Sequence, residues 1–335
     1  MRPHLTIVGL LIVAVAGSAA CGGQRNNNRR DTGSGDITCE ITNDSRIGLA
    51  TGNTTGVYYA IGNALAEQVA SKTGGKLRVT AAETGASVQN IEQLVADRYQ
   101  VAFSLFDTAT DAVNGKGSFT SPQKVQALAR IYDNYTHVVV RADAGINSVA
   151  DMKGKRVSTG SPKSGTEVIA QRVLQAAGLN PDSDVQPQRL DLTKTVDGMK
   201  AGTIDAMFFS GGLPTPGITD LFTTSAGKVK FIDITPQQPK MAEGNPAYQR
   251  AEIPATTYKT AAAVPTIVVP NVLLVRDDLD ANIACTLTKV LFDTKSELAK
   301  ANAAANGISL DTARKTDPVT IHRGAKKALD DLGAK

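Results

Sequence analysis

The sequence predicts an α/β protein of two lobes joined by two crossing strands, each lobe a mostly parallel sheet covered by helices. Three observations carry that reading. From Arg46 onward a strand, a glycine-bearing polar loop and a helix recur in order, the alternation that builds parallel sheets. Two β-rich runs, His137 to Arg141 and Thr266 to Val275, stand outside the alternation and are long enough to cross between lobes. The chain has 335 residues, whereas a single domain ordinarily holds about 100 to 200.

The elements follow in order. Ile47 to Ala50 reads as a strand that enters the loop Thr51-Gly52-Asn53-Thr54-Thr55-Gly56; Val57, Ile61, Leu65 and Val69 then mark one face of a helix. The unit repeats with strand Leu77 to Ala82, loop Thr84-Gly85-Ala86-Ser87, a helix carrying Val88, Ile91, Leu94 and Val95, and strand Val101 to Leu105. A second set runs from strand Arg156 to Thr159 through the loop Gly160 to Thr166 into a helix bearing Val168, Ile169, Val173, Leu174 and Ala177, which Gly178 and Pro181 stop. A further helix near Thr193 to Ala201 ends at Gly202 before strand Ala206 to Phe209, and residues 279–304 supply a closing helix. The expected lobes are residues 39–135 with 276–335, and residues 136–275, so the first lobe draws on both ends of the mature chain.

The chain start reads as an export signal over residues 1–20: Arg2 and His4, then a mostly apolar stretch from Leu5 to Ala20 that is short for a membrane span. Ser18-Ala19-Ala20 is either a plain cleavage site or a bacterial lipobox that lipidates Cys21; in the second reading Ser18 stands where leucine is usual. Residues 21–38 are then a flexible tether, since they offer almost nothing to bury. With Cys21 lipidated, Cys39 and Cys285 remain as a disulfide pair in an oxidising compartment, the alternative being two buried thiols. The net charge of +4 comes from four arginines in the first thirty residues; without them 32 basic residues face 32 acidic ones, which leaves no electrostatic footprint for nucleic acid.

Three loops place serines, threonines and glycines where helices begin: Thr51 to Gly56, Thr84 to Ser87, and Gly160 to Thr166. Helix starts expose free N–H donors and the positive end of the dipole, which suits a carboxylate or phosphate, although one such loop alone can be mere capping. In a doubly wound sheet all three fall at the carboxyl ends of strands, where ligands bind. Thr166 occupies the lysine position of a phosphate-loop pattern and Glu167 follows, which argues against a nucleoside triphosphate. Asp107 after its strand can accept an amine or serve as a solvated cap; Tyr58, Tyr59, Phe106, Phe208 and Phe209 line a pocket or fill the core. With three histidines, none in a triad or metal spacing, and no nucleophile elbow, the residues favour a binder without catalysis, cofactor or metal.

At these residues the chain resembles the TRAP-associated extracytoplasmic immunogenic (TAXI) solute receptors. The matching stretches are Thr51 to Tyr59, Thr84 to Asn90, His137 to Arg141, Val149 to Val157, Gly160 to Glu167 and Ser210 to Pro216, in family order and covering about residues 46–325. The resemblance implies a type II periplasmic binding protein fold, a monomer held outside the cytoplasmic membrane, and delivery of glutamate, glutamine or a related dicarboxylate to a TRAP-type permease; a sensing lipoprotein of the same fold is the alternative. Carried over by motif, Thr54, Thr55 and Tyr58 face the ligand from the first loop, Ser87 and Asn90 from the second helix start, and Ser164, Gly165 and Thr166 from the other lobe, with Phe209 and Gly211 closing the pocket. Asn53 stands where the family frequently has glycine, and Leu105-Phe106-Asp107 replaces a more polar lead-in to the aspartate.

Overall fold

The computed structural model describes residues 35–335. The leader 1–20, Cys21 and most of the tether lie outside the described residues. In chain order the elements are β1 (Ser45–Ala50), α1 (Val57–Lys72), β2 (Leu77–Ala82), α2 (Ser87–Val95), β3 (Val101–Leu105), α3 (Phe106–Asn114), β4 (Val125–Arg141), β5 (Arg156–Ser158), α4 (Gly165–Ala176), β6 (Gln186–Gln188), α5 (Leu192–Ala201), β7 (Ala206–Gly211), α6 (Pro216–Thr224), β8 (Val229–Phe231), α7 (Gln238–Gly244), β9 (Gln249–Ile253), α8 (Ala255–Tyr258), β10 (Val264–Arg276), α9 (Ala281–Asp293), α10 (Lys295–Ala301) and α11 (Arg323–Asp331).

The strands form one continuous sheet in the order β2-β1-β3-β10-β4-β7-β5-β6, with β8 on β4 and β9 on β10. Its two wings are parallel, β1 with β2 and β3, and β5 with β6 and β7. Its centre is antiparallel: β10 runs against β3 and β4, and β4 against β7. The first half of β4 pairs with β10 up to Tyr135, and from there to Val140 it pairs with β7, so a single strand serves both wings. Sequence reading starts this strand at His137, twelve residues late; the structure begins it at Val125. The polar residues Arg130, Asp133 and Asn134 interrupt the apolar pattern there, with Arg130 and Asp133 paired to each other at 2.9 Å and Asn134 turned into the seam between the lobes.

The cores follow the wings. One cluster joins Ile47, Leu65 and Phe103 to Leu273, Leu287 and Leu329, early residues with the last ones. Another joins Val138, Val157, Ile169 and Phe208 to Ile267 and Val269. The expected closing helix over 279–304 divides at Thr294 into α9 and α10. Cys39 and Cys285 are bonded, with Cα atoms 5.0 Å apart. The same segment is held on α9 by Asn282 Oδ1, which accepts from the N–H groups of Thr38 and Cys39 at 2.8 and 3.0 Å. Among the described residues no helix is long and apolar enough to cross a membrane.

Candidate functional site: a neutral cleft at three helix starts

Between the wings, at the carboxyl ends of the strands, the starts of α1, α2 and α4 converge on one cavity of about 40 Å³. On α1, Gly56 is the N-cap and no side chain caps it; on α2, Ala86 takes that position, also without a side-chain cap. No cap side chain therefore meets their first N–H groups, although on α2 the Gln89 N–H already donates to the Lys163 carbonyl at 3.0 Å. Ala86 has φ 79° and ψ −151°, a region costly for a residue with a Cβ, and such strain held at a cleft wall is a mark of function. On α4, Ser164 Oγ accepts from Glu167 N–H at 2.9 Å, leaving the amides of Gly165 and Thr166 in the buried first turn beside the cavity.

The close approach of the two lobes depends on Gly165. A Cβ there would lie 2.4 Å from Leu105 Cδ1 and 2.7 Å from Ser87 Oγ, atoms of the opposite lobe. Asn53 clamps the mouth: its Nδ2 donates to Ser161 Oγ at 3.2 Å and its Oδ1 accepts from Leu192 N–H at 3.1 Å. Thr166 Oγ1 accepts from Ser210 N–H at 3.1 Å, fixing α4 to the end of β7. No lining residue among the described ones is an aspartate, glutamate, lysine, arginine or histidine. Three dipole ends and a set of hydroxyls thus give the cleft a positive but uncharged lining.

Under the cleft a hydrogen-bonded floor spans the crossing strands. Tyr58 OH donates to Asn271 Oδ1 at 2.5 Å, Asn134 Nδ2 donates to the same oxygen at 3.0 Å, and Asn271 Nδ2 donates to the Tyr132 carbonyl at 2.9 Å. Burial pushes the Tyr58 phenol well above its usual range, so it acts only as a neutral donor. Behind Phe209, buried His137 is a neutral strut. Thr215 N–H donates to the Tyr258 hydroxyl at 2.9 Å, that hydroxyl donates a hydrogen bond to His137 Nε2 at 2.8 Å, and Nδ1–H donates to the Phe209 carbonyl at 3.3 Å. Burial holds this imidazole down to about 4.

Of the residues singled out from sequence, Tyr58, Ser87, Ser164, Gly165, Thr166, Phe209 and Gly211 line the cleft together. Four stand elsewhere. Thr54 is exposed. Thr55 lies on the rim, its hydroxyl 3.3 Å from that of Thr193. Asn90 is buried behind the loop, where its amide donates to the carbonyls of Thr51 and Phe103 at 2.7 and 2.8 Å and so ties β1 to β3. Asp107 is neither an open amine acceptor nor a solvated cap: it is fully buried, 3.1 Å from Arg172 Nη1, and accepts from Tyr248 OH. Arg172 also pairs with Asp111. The cleft is also lined by Asn53 and Ser161, whose loops the sequence reads as ligand-binding, by Ser210, which opens a matching stretch, and by Asn134 and Thr195; none of the five is singled out from sequence as a ligand contact. No single signal marks Asn134, which stands beside Arg130 and Asp133 in the polar part of β4.

This arrangement, two α/β wings hinged on two shared central strands around a cleft of helix starts, is the fold of the two-lobed periplasmic binding proteins. A solved protein of Bordetella bronchiseptica RB50 matches at a TM-score of 0.55 and 16% identity, over 87% of this chain and 98% of its own. The binding-protein component of an ABC phosphonate transporter from Pseudomonas aeruginosa matches at 0.54 and 15%, over 80% of each chain. An ABC uptake transporter substrate-binding protein from Streptococcus pneumoniae, solved with bound histidine, matches at 0.51 and 12%, over 76% and 91%. Residues 49–333 match the NMT1-like family, and the chain belongs to it.

Proposed function

We propose that this protein is an extracytoplasmic receptor that captures a small carboxylate between its lobes and hands it to a membrane transporter without chemical change. Residues 39–135 with 276–335 act as one lobe and 136–275 as the other, and Cys21 anchors the monomer to the outer face of the membrane. The observation that carries the reading is the convergence of three helix starts from both lobes on one cavity whose lining holds no side-chain charge. Backbone donors and dipole ends stabilise an anion there, and closure removes the water that would weaken them. The TAXI resemblance supports a carboxylate of the glutamate, glutamine and dicarboxylate class and a TRAP-type permease as partner; the binding proteins of similar fold serve ABC transporters, so the common element is a transporter. Tyr58, Ser87, Ser164, Gly165, Thr166, Phe209 and Gly211 contact the ligand, with Thr55 at the rim.

A thermal-shift screen with short carboxylates tests this, since a ligand at a hundred times its Kd stabilises the folded state by about 2.7 kcal/mol. A responding acid identifies the class, and Ser164→Ala combined with Thr166→Ala abolishes the response. Unchanged binding by the double variant would remove α4 from the site.

A further inference from the structure

The floor of the cleft carries one atom that an anion cannot satisfy. Asn271 is fixed by its neighbours: its Nδ2 is needed for the Tyr132 carbonyl, so its Oδ1 faces Tyr58 and Asn134. Two oxygens cannot bond each other, so Asn134 must turn its Nδ2 to Asn271, which leaves its own Oδ1 as the free end. That residue is 3% exposed, lines the cleft, and its Oδ1 is buried with no hydrogen-bond partner among the described residues. Ser210, also in the lining, buries an unpartnered hydroxyl oxygen as well. A hydroxyl can donate to an anion by rotating; an amide oxygen can only accept.

We propose that Asn134 selects the ligand: the cleft takes a small carboxylate that also carries a neutral hydrogen-bond donor, a hydroxyl or a carboxamide N–H, and disfavours an ammonium. The proposal rests on reading the cleft as an anion site, and within the class that the TAXI resemblance supports it favours hydroxylated dicarboxylates over glutamate and glutamine. An acceptor left unmet in a closed cleft counts against any ligand without a donor, which is how polar pockets reject analogues lacking one group. An ammonium would need a carboxylate to offset its desolvation, and none lines the cleft. The buried acids Asp107 and Asp111 are already paired with Arg172, and the three helix starts oppose a second positive charge.

Isothermal titration of the wild-type protein with three matched sets tests it: propionate, lactate and alanine; succinate, malate and aspartate; glutarate, 2-hydroxyglutarate and glutamate. In the set that fits, the hydroxy acid binds about 10- to 100-fold tighter than its parent acid, and the amino acid binds no better than the parent. Asn134→Leu brings the hydroxy-to-parent ratio close to one, and Asn134→Asp moves the preference to the amino acid; the ligand-free melting temperature of each variant reports its folding. Parent acids that bind as tightly as their hydroxy partners, or amino acids that bind tightest, overturn the proposal and leave the anion site standing. If no acid in any set binds, the anion reading falls and the selection goes with it. An unaltered ratio in a folded Asn134→Leu protein assigns the discrimination to another residue and overturns the role given to Asn134.

Discussion

Where α4 begins, Gly165 packs closely against Leu105 and Ser87 of the other lobe with no charge between them; less than two turns further on, Arg172 meets that same lobe through two carboxylates. One short helix thus carries a neutral end and an ionic flank across a single seam. Across this seam the charges stand in pairs, Arg172 with Asp107 and Asp111, and Lys163 with Glu92. Arg172 has Asp107, Asp111 and the hydroxyl of Tyr248, while at the helix start Glu167 is turned away to Arg189 and the Lys163 N–H, and the residues that line the cleft, Ser164, Gly165 and Thr166, carry no charge.

The largest way to break the comparison is to remove the cation from the flank. Arg172→Met leaves two largely buried carboxylates unpaired, and urea unfolding should show a loss of about 3 to 5 kcal/mol. Adding Asp107→Asn and Asp111→Asn should return most of it, because the cost lies in the uncompensated charge. A single variant that unfolds like the wild type would mean the flank is ornamental.

Acid makes the reverse experiment by forcing a charge into the neutral side. The His137 imidazole is held at about 4 in the fold against an ordinary 6.5, so the unfolded chain takes up the proton first. Its contribution is complete above pH 6.5 and is lost as pH falls toward 4, by about 3 kcal/mol in all. Melting curves from pH 7 to 4 should follow that slope, and His137→Asn should flatten this part of it even though the variant starts lower.

Gly165→Val separates closure from folding. The added methyls would meet Leu105 and Ser87, so ligand affinity should drop about a hundredfold, roughly 2.7 kcal/mol, while the ligand-free melting temperature changes little. Titration paired with small-angle scattering checks both halves: the variant should stay open at saturating ligand. The smallest effect belongs to the exposed rim pair. Lys163 Nζ sits 2.9 Å from Glu92 with most of its side chain in water, so Lys163→Ala should change stability by at most about 1 kcal/mol and lose even that in high salt.

Much of this was legible in the sequence where one physical signal sufficed. Apolar residues at helical spacing placed α1, α2 and α4, and runs of serine, threonine and glycine marked the loops that converge at the cleft, although only Ser164 caps its helix. The cysteine count paired Cys39 with Cys285. What was not legible were residues whose role depends on distant partners. Asp107 looked like an open acceptor because Arg172 and Tyr248, which occupy it, lie 65 and 141 residues away. Asn90 looked like a ligand contact because the carbonyls it ties together are invisible in a string. The front of β4 was lost because a strand that forms a site floor must carry polar residues, and these break the apolar pattern by which strands are read.

The shared central strands also bear on how the chain is made. Val125 lies opposite Arg276 and Val101 opposite Val275, and Leu329 near the end of the chain packs into the same core as Ile47 near its beginning. A ribosome or a secretion channel that delivers this polypeptide from its amino end therefore releases β1 to β3 long before β10, the strand that pairs with β3 on its other side, exists. The first-born lobe must wait, incomplete, until the last fifth of the chain arrives, and pairing at such long range is slow. Assembly of the fold is finished by residues of the last fifth of the chain.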